Sequence, residues 1–215
     1  MAESRWYDKF APFYDVGTFG DLFYRKPCKA AVEQLCLSFG SSVADVFCGT
    51  GVDFPMLATH TKVGEEGAVM AFDGSEGMLK HAKTRAERCT VSPSFEFLQA
   101  DFSRSDGLKT LEDAIDKESP QHVFVSLGLT CLENWREFCS LVFDVCPSGT
   151  RFSIIDVYSD RLTLGARFIN WVGAADCRRP VWSVLEERCE SFAWQEFRPF
   201  KVLDVSVFVA SGGKP

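Results

Sequence analysis

The run Ser42-Val43-Ala44-Asp45-Val46 leads directly into Phe47-Cys48-Gly49-Thr50-Gly51, and 22 residues past the last glycine Asp73 closes a second apolar run, Val69-Met70-Ala71-Phe72. A strand that passes through Gly-Thr-Gly into a helix lets main-chain N–H groups approach a ligand closely, because glycine carries no Cβ to hold it off. An acidic residue at the end of the next strand, about 20 residues on, stands where a carboxylate accepts both hydroxyls of a ribose. The two features together predict a nucleoside site at the edge of a parallel sheet.

From residue 43 onward short apolar runs alternate with amphipathic stretches. Strands are expected at 43–48, 68–73, 95–99, 122–127 and 150–157, with helices at 52–60, 76–89, 108–117, 134–145 and 160–173. Two late strands follow near 192–198 and 202–210, joined by too few residues for a helical crossover, so the last runs antiparallel to its neighbour. The fold class is α/β: a doubly wound, mostly parallel, seven-stranded, Rossmann-like sheet with an antiparallel last strand. Ligands of such sheets sit beyond the carboxyl ends of the parallel strands, which puts Phe47, Asp73, Asp101, Leu127 and Asp156 on one rim. Residues 5–39 carry Trp6, Tyr7, Phe10, Phe13, Tyr14, Phe19, Phe23 and Tyr24. That aromatic density predicts a helical lid on the same rim. The whole chain, 1–215, reads as one domain, with the lid at 5–39, a ligand-binding core at 43–157 and a substrate-side insertion at 158–190.

Composition removes several classes of function. A net charge of −7, with no basic run longer than Arg178-Arg179, lacks the electrostatic footprint of a nucleic-acid binder. The nine cysteines are odd in number and never spaced Cys-x-x-Cys, which suits buried thiols in a reducing, cytoplasmic setting. No window offers the ~20 apolar residues of a spanning helix. His60, His81 and His122 are scattered without metal-ligand spacing, so no metal site is expected. A dinucleotide fold wants a third glycine where Phe54 stands, and the only Gly-Lys, Gly213-Lys214, does not follow a phosphate-binding loop.

Five motifs in order carry a resemblance: DVFCGTG (45–51), AFDGSEGML (71–79), FLQADF (97–102), HVFVSLGLTCLENW (122–135) and VCPSGTRFSIIDVYS (145–159). The series resembles class I S-adenosylmethionine-dependent methyltransferases over residues 5–160. Among these the small ubiquinone/menaquinone C-methyltransferases and phosphatidylethanolamine N-methyltransferases are similar in their opening segment, here Tyr7 to Asp15. The resemblance implies S-adenosyl-L-methionine as cofactor and S-adenosyl-L-homocysteine as product. It places Asp45, Gly49 and Gly51 around the methionine part, and Asp73 on the ribose hydroxyls. Gly74, Ser75 and Met78 would lie against ribose and adenine, although Met78 suits a core position equally. Asp101, with Phe102, would face the adenine amino group, and Leu127 the methyl-transfer side. One position departs from the pattern: Phe47 stands where the family has its first glycine. RNA uracil and DNA cytosine C5-methyltransferases are similar in carrying an aromatic there. They also need a Pro-Cys nucleophile, which Cys146-Pro147 does not match.

The acceptor side is less defined. Tyr7, Tyr14 and Trp171, with Arg178 and Arg179, are the substrate-binding candidates, as an aromatic wall around a cation or as arginines paired with an anion. A solvated charged turn is the plainer reading of the arginine pair. Methyl transfer from a sulfonium needs a base only where the acceptor arrives protonated, and the catalytic candidates for that role are Tyr14, Glu133 and Asp156. The expected activity is methyl transfer to a small-molecule or lipid-derived acceptor, an amine or thiol. A quinone-ring C-methyltransferase and an inactive cofactor-binding partner subunit are the alternatives.

Overall fold

The computed structural model describes residues 24–60, 67–89, 94–200 and 204–215. Seven strands form one sheet: β1 (Ser42–Val46), β2 (Ala68–Asp73), β3 (Ser94–Gln99), β4 (His122–Ser126), β5 (Arg151–Tyr158), β6 (Glu190–Phe200) and β7 (Val205–Gly213), in the order β3-β2-β1-β4-β5-β7-β6. The first five are mutually parallel, and β7 runs antiparallel between β5 and β6. The chain moves outward from β1 to β2 and β3, then returns to the other side for β4 and β5. The carboxyl ends of β1 and β4 therefore flank a topological switch point, where a crevice opens.

Period-two alternation divides the strand residues between two apolar layers. Val43, Phe124, Ile155 and Val207 face one layer; Ala44, Val123, Ile154 and Phe208 face the other. The first layer is covered by α1 (Arg25–Gln34), α2 (Phe54–His60), α3 (Glu76–Ala86) and Ala166 of α6 (Leu164–Gly173). The second is covered by α4 (Ser105–Glu118), α5 (Trp135–Val145) and α7 (Ser183–Arg188), through Leu111 and Ile115, Phe138 and Val142, and Val184 and Leu185. Both faces are thus closed, as a parallel sheet requires.

Local chemistry adjusts several expected boundaries. α3 begins at Glu76 because the Ser75 hydroxyl accepts from Met78 N at 3.1 Å, and α6 begins at Leu164 because Thr163 accepts from Ala166 N at 3.1 Å. α4 starts three residues before the expected 108, since only a glycine at 107 fits against the chain: a Cβ there would stand 2.1 Å from Asp101 O. α7 and a single 3₁₀ turn at Leu129–Cys131 carry too little periodicity to be read from sequence.

The N-terminal segment differs from the expected lid in its described part. Residues 1–23, with Trp6, Tyr7 and Tyr14, lie outside the described residues. Residues 25–34 form α1, which lies along the sheet face: Cys28, Ala31, Val32 and Leu35 bury one stripe, and Ser153 Oγ donates to Ala31 O at 2.8 Å. Only the start of α1 nears the strand ends, where Tyr24 feels Asp156 and the Cys28 thiol lies close to Asp53.

At the opposite end of the sheet the Lys214 ammonium donates to three carbonyls at the end of α5, those of Phe143 (2.8 Å), Asp144 (3.0 Å) and Cys146 (2.6 Å). These are orphan helix-terminal acceptors that carry the negative end of the helix dipole. Lys214→Met keeps the stem and removes the donor, and is expected to cost about 2 kcal/mol of stability. Urea unfolding of the two proteins measures it.

Candidate functional site

A cleft of about 780 Å³ opens at the carboxyl ends of β1 to β4. Its first wall is the turn after β1. Phe47 has φ 62° and Gly49 φ 52°, both left-handed, so the chain reverses within three residues. The Gly49 N–H donates to Asp73 Oδ2 at 3.0 Å, and Ser75 N donates to Asp73 Oδ1 at 2.8 Å. Two main-chain donors from different loops therefore fix the plane of this carboxylate on the cleft wall. The Gly49 amide, expected to face a ligand, instead orients the Asp73 carboxylate. Gly51 lies behind the lining; a Cβ there would stand 2.5 Å from the Phe54 ring, so its absence lets α2 dock.

Phe47 shows how this chain manages without the usual glycine. Its ring packs edge-on to Phe102 at 5.0 Å between centroids and tilted against Phe138 at 5.7 Å. A Cβ on Gly128 would stand 2.2 Å from Phe47 Cγ. The left-handed backbone costs about 1–2 kcal/mol, and ring burial of this size returns about as much. Gly128, at the β4 end, supplies the space.

Phe47, Gly49, Asp73, Gly74, Ser75 and Met78 all line the cleft, as do Asp101, Phe102 and Leu127. Among them Ser75 also caps α3, and the buried Met78 sits at the cleft wall. Asp101 accepts from Ser103 N (3.1 Å) and Ser103 Oγ (2.6 Å), both through Oδ1. Asp45 is placed differently: it is buried behind the lining, with neither oxygen hydrogen-bonded among the described residues. Burial and the neighbouring carboxylates of Asp53 and Asp73 push its pKa well up.

Asp53 is the residue that motif reading missed. It lines the cleft, fully buried, with Oδ2 accepting from Ser126 Oγ at 2.9 Å and Oδ1 without a hydrogen-bond partner among the described residues. Burial raises its pKa, against the pull of Ser126, Cys28 and Arg85. A buried carboxylate with an unused oxygen is a receptor for a cation or a hydroxyl. The available signal was an acid within the otherwise apolar Val52-Asp53-Phe54-Pro55-Met56-Leu57, directly behind the glycine turn.

The opposite wall is the segment after β4, held by a network of its own. Asp156 accepts from Thr130 N (3.1 Å), Thr130 Oγ1 (2.8 Å) and Val157 N (2.8 Å). Arg179 Nη1 donates to Thr130 O at 2.7 Å and Leu132 O at 2.6 Å, and Asp176 N donates to Thr130 O at 2.8 Å. Asp156 is thus buried beneath the wall, engaged in positioning Thr130, and does not line the cleft. Arg179 does line it, with its guanidinium committed to main-chain carbonyls. Arg178 pairs with Asp176 at 2.9 Å, and Trp171 stands in solvent away from the cleft. Glu133 lines the wall together with Glu137 and Asn134. Tyr7 and Tyr14 fall outside the described residues.

Burial holds the Asp156 carboxyl up at about 6, although its three donors pull it down. The folded chain therefore binds this proton more tightly than the unfolded one. The contribution of Asp156 to stability is complete below the unfolded pKa of about 3.9 and is lost as pH rises through about 6, a loss of order 3 kcal/mol. Unfolding free energies measured from pH 4 to 7 should carry this slope, and Asp156→Asn should remove it.

Among the described residues no group of three or more His, Cys, Asp or Glu is placed to hold a metal ion, and no helix is long and apolar enough to cross a membrane.

Comparison with known proteins bears on this geometry. A family model described as a methyltransferase domain matches residues 37–179. The structure resembles one chain of the complex between the Haloferax volcanii Trm112 methyltransferase activator and a methyltransferase, at 14% identity over 96% of this chain and 97% of that one, with a TM-score of 0.69. It resembles geranyl diphosphate C-methyltransferase from Streptomyces coelicolor A3(2), crystallised with Mg2+, geranyl diphosphate and S-adenosyl-L-homocysteine, at 10% identity over 89% and 78% of the two chains (TM-score 0.68). A SAM-dependent methyltransferase from Aquifex aeolicus aligns at 17% identity over 97% and 98% (TM-score 0.63). No curated protein sequence matches the chain.

Proposed function

The chain belongs to the methyltransferase-domain family, and we propose that it transfers a methyl group from S-adenosylmethionine to an amine on a small or lipid-derived acceptor. The observation that carries the cofactor is Asp73, held by Gly49 N and Ser75 N on the wall of the switch-point cleft. The side chains fit the group: Asp73 for the ribose hydroxyls, Asp101 and Met78 for the adenine, and Asp53 Oδ1, with no hydrogen-bond partner among the described residues, for the α-ammonium. Bound there, the cofactor supplies an electrophilic methyl sulfonium.

The chain's own contribution is positioning and exclusion of water. The network of Asp156, Thr130 and Arg179 sets the wall against which an acceptor lies. The chemistry of that wall favours an amine. Glu133 and Glu137 line it, while the arginines of the cleft and its margin are engaged, Arg179 with carbonyls, Arg104 with Asp106 and Arg178 with Asp176. A cationic acceptor finds carboxylates there, and Glu133 on that wall would take its proton. An acceptor held through a phosphate or carboxylate would need a guanidinium released from these contacts. Ubiquinone-type carbon methylation and a catalytically silent partner subunit have no comparable observation in their favour.

The test is transfer of labelled methyl from S-adenosylmethionine to panels of primary amines, aminophospholipids, thiols and quinols, with products separated by organic extraction. Amine products support the reading. Labelling confined to quinols contradicts the acceptor, and no labelling of any acceptor contradicts the activity.

A further inference from the structure

α6 buries only Ala166, yet it is among the most apolar helices of the chain. Leu164 is 85% exposed, Phe168 52% and Trp171 79%, with Leu162, just ahead of the helix, at 42%. The spacing i, i+4, i+7 places the three helical side chains on one face, and the Phe168 and Trp171 rings lie 6.4 Å apart. Charge is reversed here relative to the rest of the molecule. The chain has 30 acidic and 23 basic residues, but 162–175 contains no carboxylate and carries Arg167. Arg161 and Arg178 flank the stretch, each paired with an aspartate, Asp160 and Asp176; Arg167 has no ion-pair partner among the described residues.

We propose that this face docks the protein on the interfacial zone of an anionic phospholipid surface. Three observations favour a lipid surface over a second copy of the chain or another protein. The exposed apolar area is of order 500 Å², short of the ~800 Å² per partner of a stable protein interface. Tryptophan beside arginine on a helix without carboxylates is the combination that sits at headgroup depth, rings in the acyl boundary and guanidinium on phosphate. The face also runs into the acceptor side of the cleft: Gly173 O accepts from Cys131 Sγ at 3.2 Å, and Ala174, Ala175 and Asp176 line the cleft. A docked helix would therefore hold the acceptor wall at the surface. Docking does not depend on the methyl-transfer reading and is measured without turnover.

The experiment is cosedimentation of the full chain with sucrose-loaded vesicles, of phosphatidylglycerol and phosphatidylcholine in equal parts or of phosphatidylcholine alone. Binding to the anionic vesicles is expected, at least tenfold weaker for Trp171→Ser/Phe168→Ser and several-fold weaker for Arg167→Glu. Melting temperatures should match the wild type, because these side chains are exposed. Failure to sediment with either vesicle overturns the proposal, as does undiminished binding of the double variant. So does a lipid-free dimer that the double variant converts to monomer, which would assign the face to a second copy. Protection of Trp171 from hydroxyl-radical footprinting without lipid would assign it to the chain's own residues and overturn the proposal equally.

Discussion

Gly128→Ala is expected to destabilise the protein by about 3 kcal/mol, lowering its melting temperature by roughly 5–10 °C, and to abolish cofactor binding. The new methyl would stand 2.2 Å from Phe47 Cγ and 2.5 Å from Cδ1, at the root of the ring, which turning the ring about χ2 does not move and which a χ1 change would clear only by giving up the contacts with Phe102 and Phe138. The backbone itself does not forbid alanine, since Gly128 has φ −137°. Steric conflict with one side chain is the whole cause, so the effect should vanish with that side chain. Phe47→Gly alone relieves the left-handed strain and loses the contacts with Phe102 and Phe138, two effects of similar size and opposite sign. In that background Gly128→Ala should be close to neutral. Thermal melts of the four proteins form a double-mutant cycle; an unchanged penalty with Phe47 absent would show that the ring does not account for Gly128.

Asp73→Ala is expected to weaken S-adenosylmethionine and S-adenosylhomocysteine binding by well over tenfold, or more than about 1.4 kcal/mol. Two effects combine. The ribose hydroxyls lose a charged acceptor, and Gly49 N and Ser75 N lose the group that joins the β1 and β2 loops. Asp73→Asn separates them, because it preserves shape and one carbonyl acceptor while placing an amide nitrogen against one of the two donors. Its affinity should fall between wild type and alanine. Equal affinity of all three folded proteins would remove Asp73 from the site.

What the sequence displayed was what local pattern can encode. The inner parallel strands announce themselves as short, largely apolar runs bounded by turns, and the edge strand β3 by its alternation of Phe95 and Phe97 with Glu96. Asp73 was legible because it combines a strand end with a fixed distance from the glycine turn. What escaped depends on contacts between distant segments. The compensation of Phe47 by Gly128 spans two strands and leaves no mark within either motif. Asp45, in the motif, lies behind the wall, whereas Asp53 reaches the cleft because the Gly51 turn and the docking of Phe54 rotate the start of α2 toward it. Arg178 and Arg179 looked equivalent as neighbours in a charged turn; the fold sends one to Asp176 and the other to the carbonyls of Thr130 and Leu132. Asp156 fitted the profile of a rim carboxylate, but three donors converge on it and make it a support for Thr130.

The central claim is that this cleft holds S-adenosylmethionine through Asp73, and calorimetric titration of the purified protein tests it most directly. The account predicts micromolar binding of S-adenosylmethionine and S-adenosylhomocysteine, none of NAD, and loss of both interactions in Asp73→Ala. Absence of binding by the folded wild-type chain, or binding of NAD in preference, would contradict it.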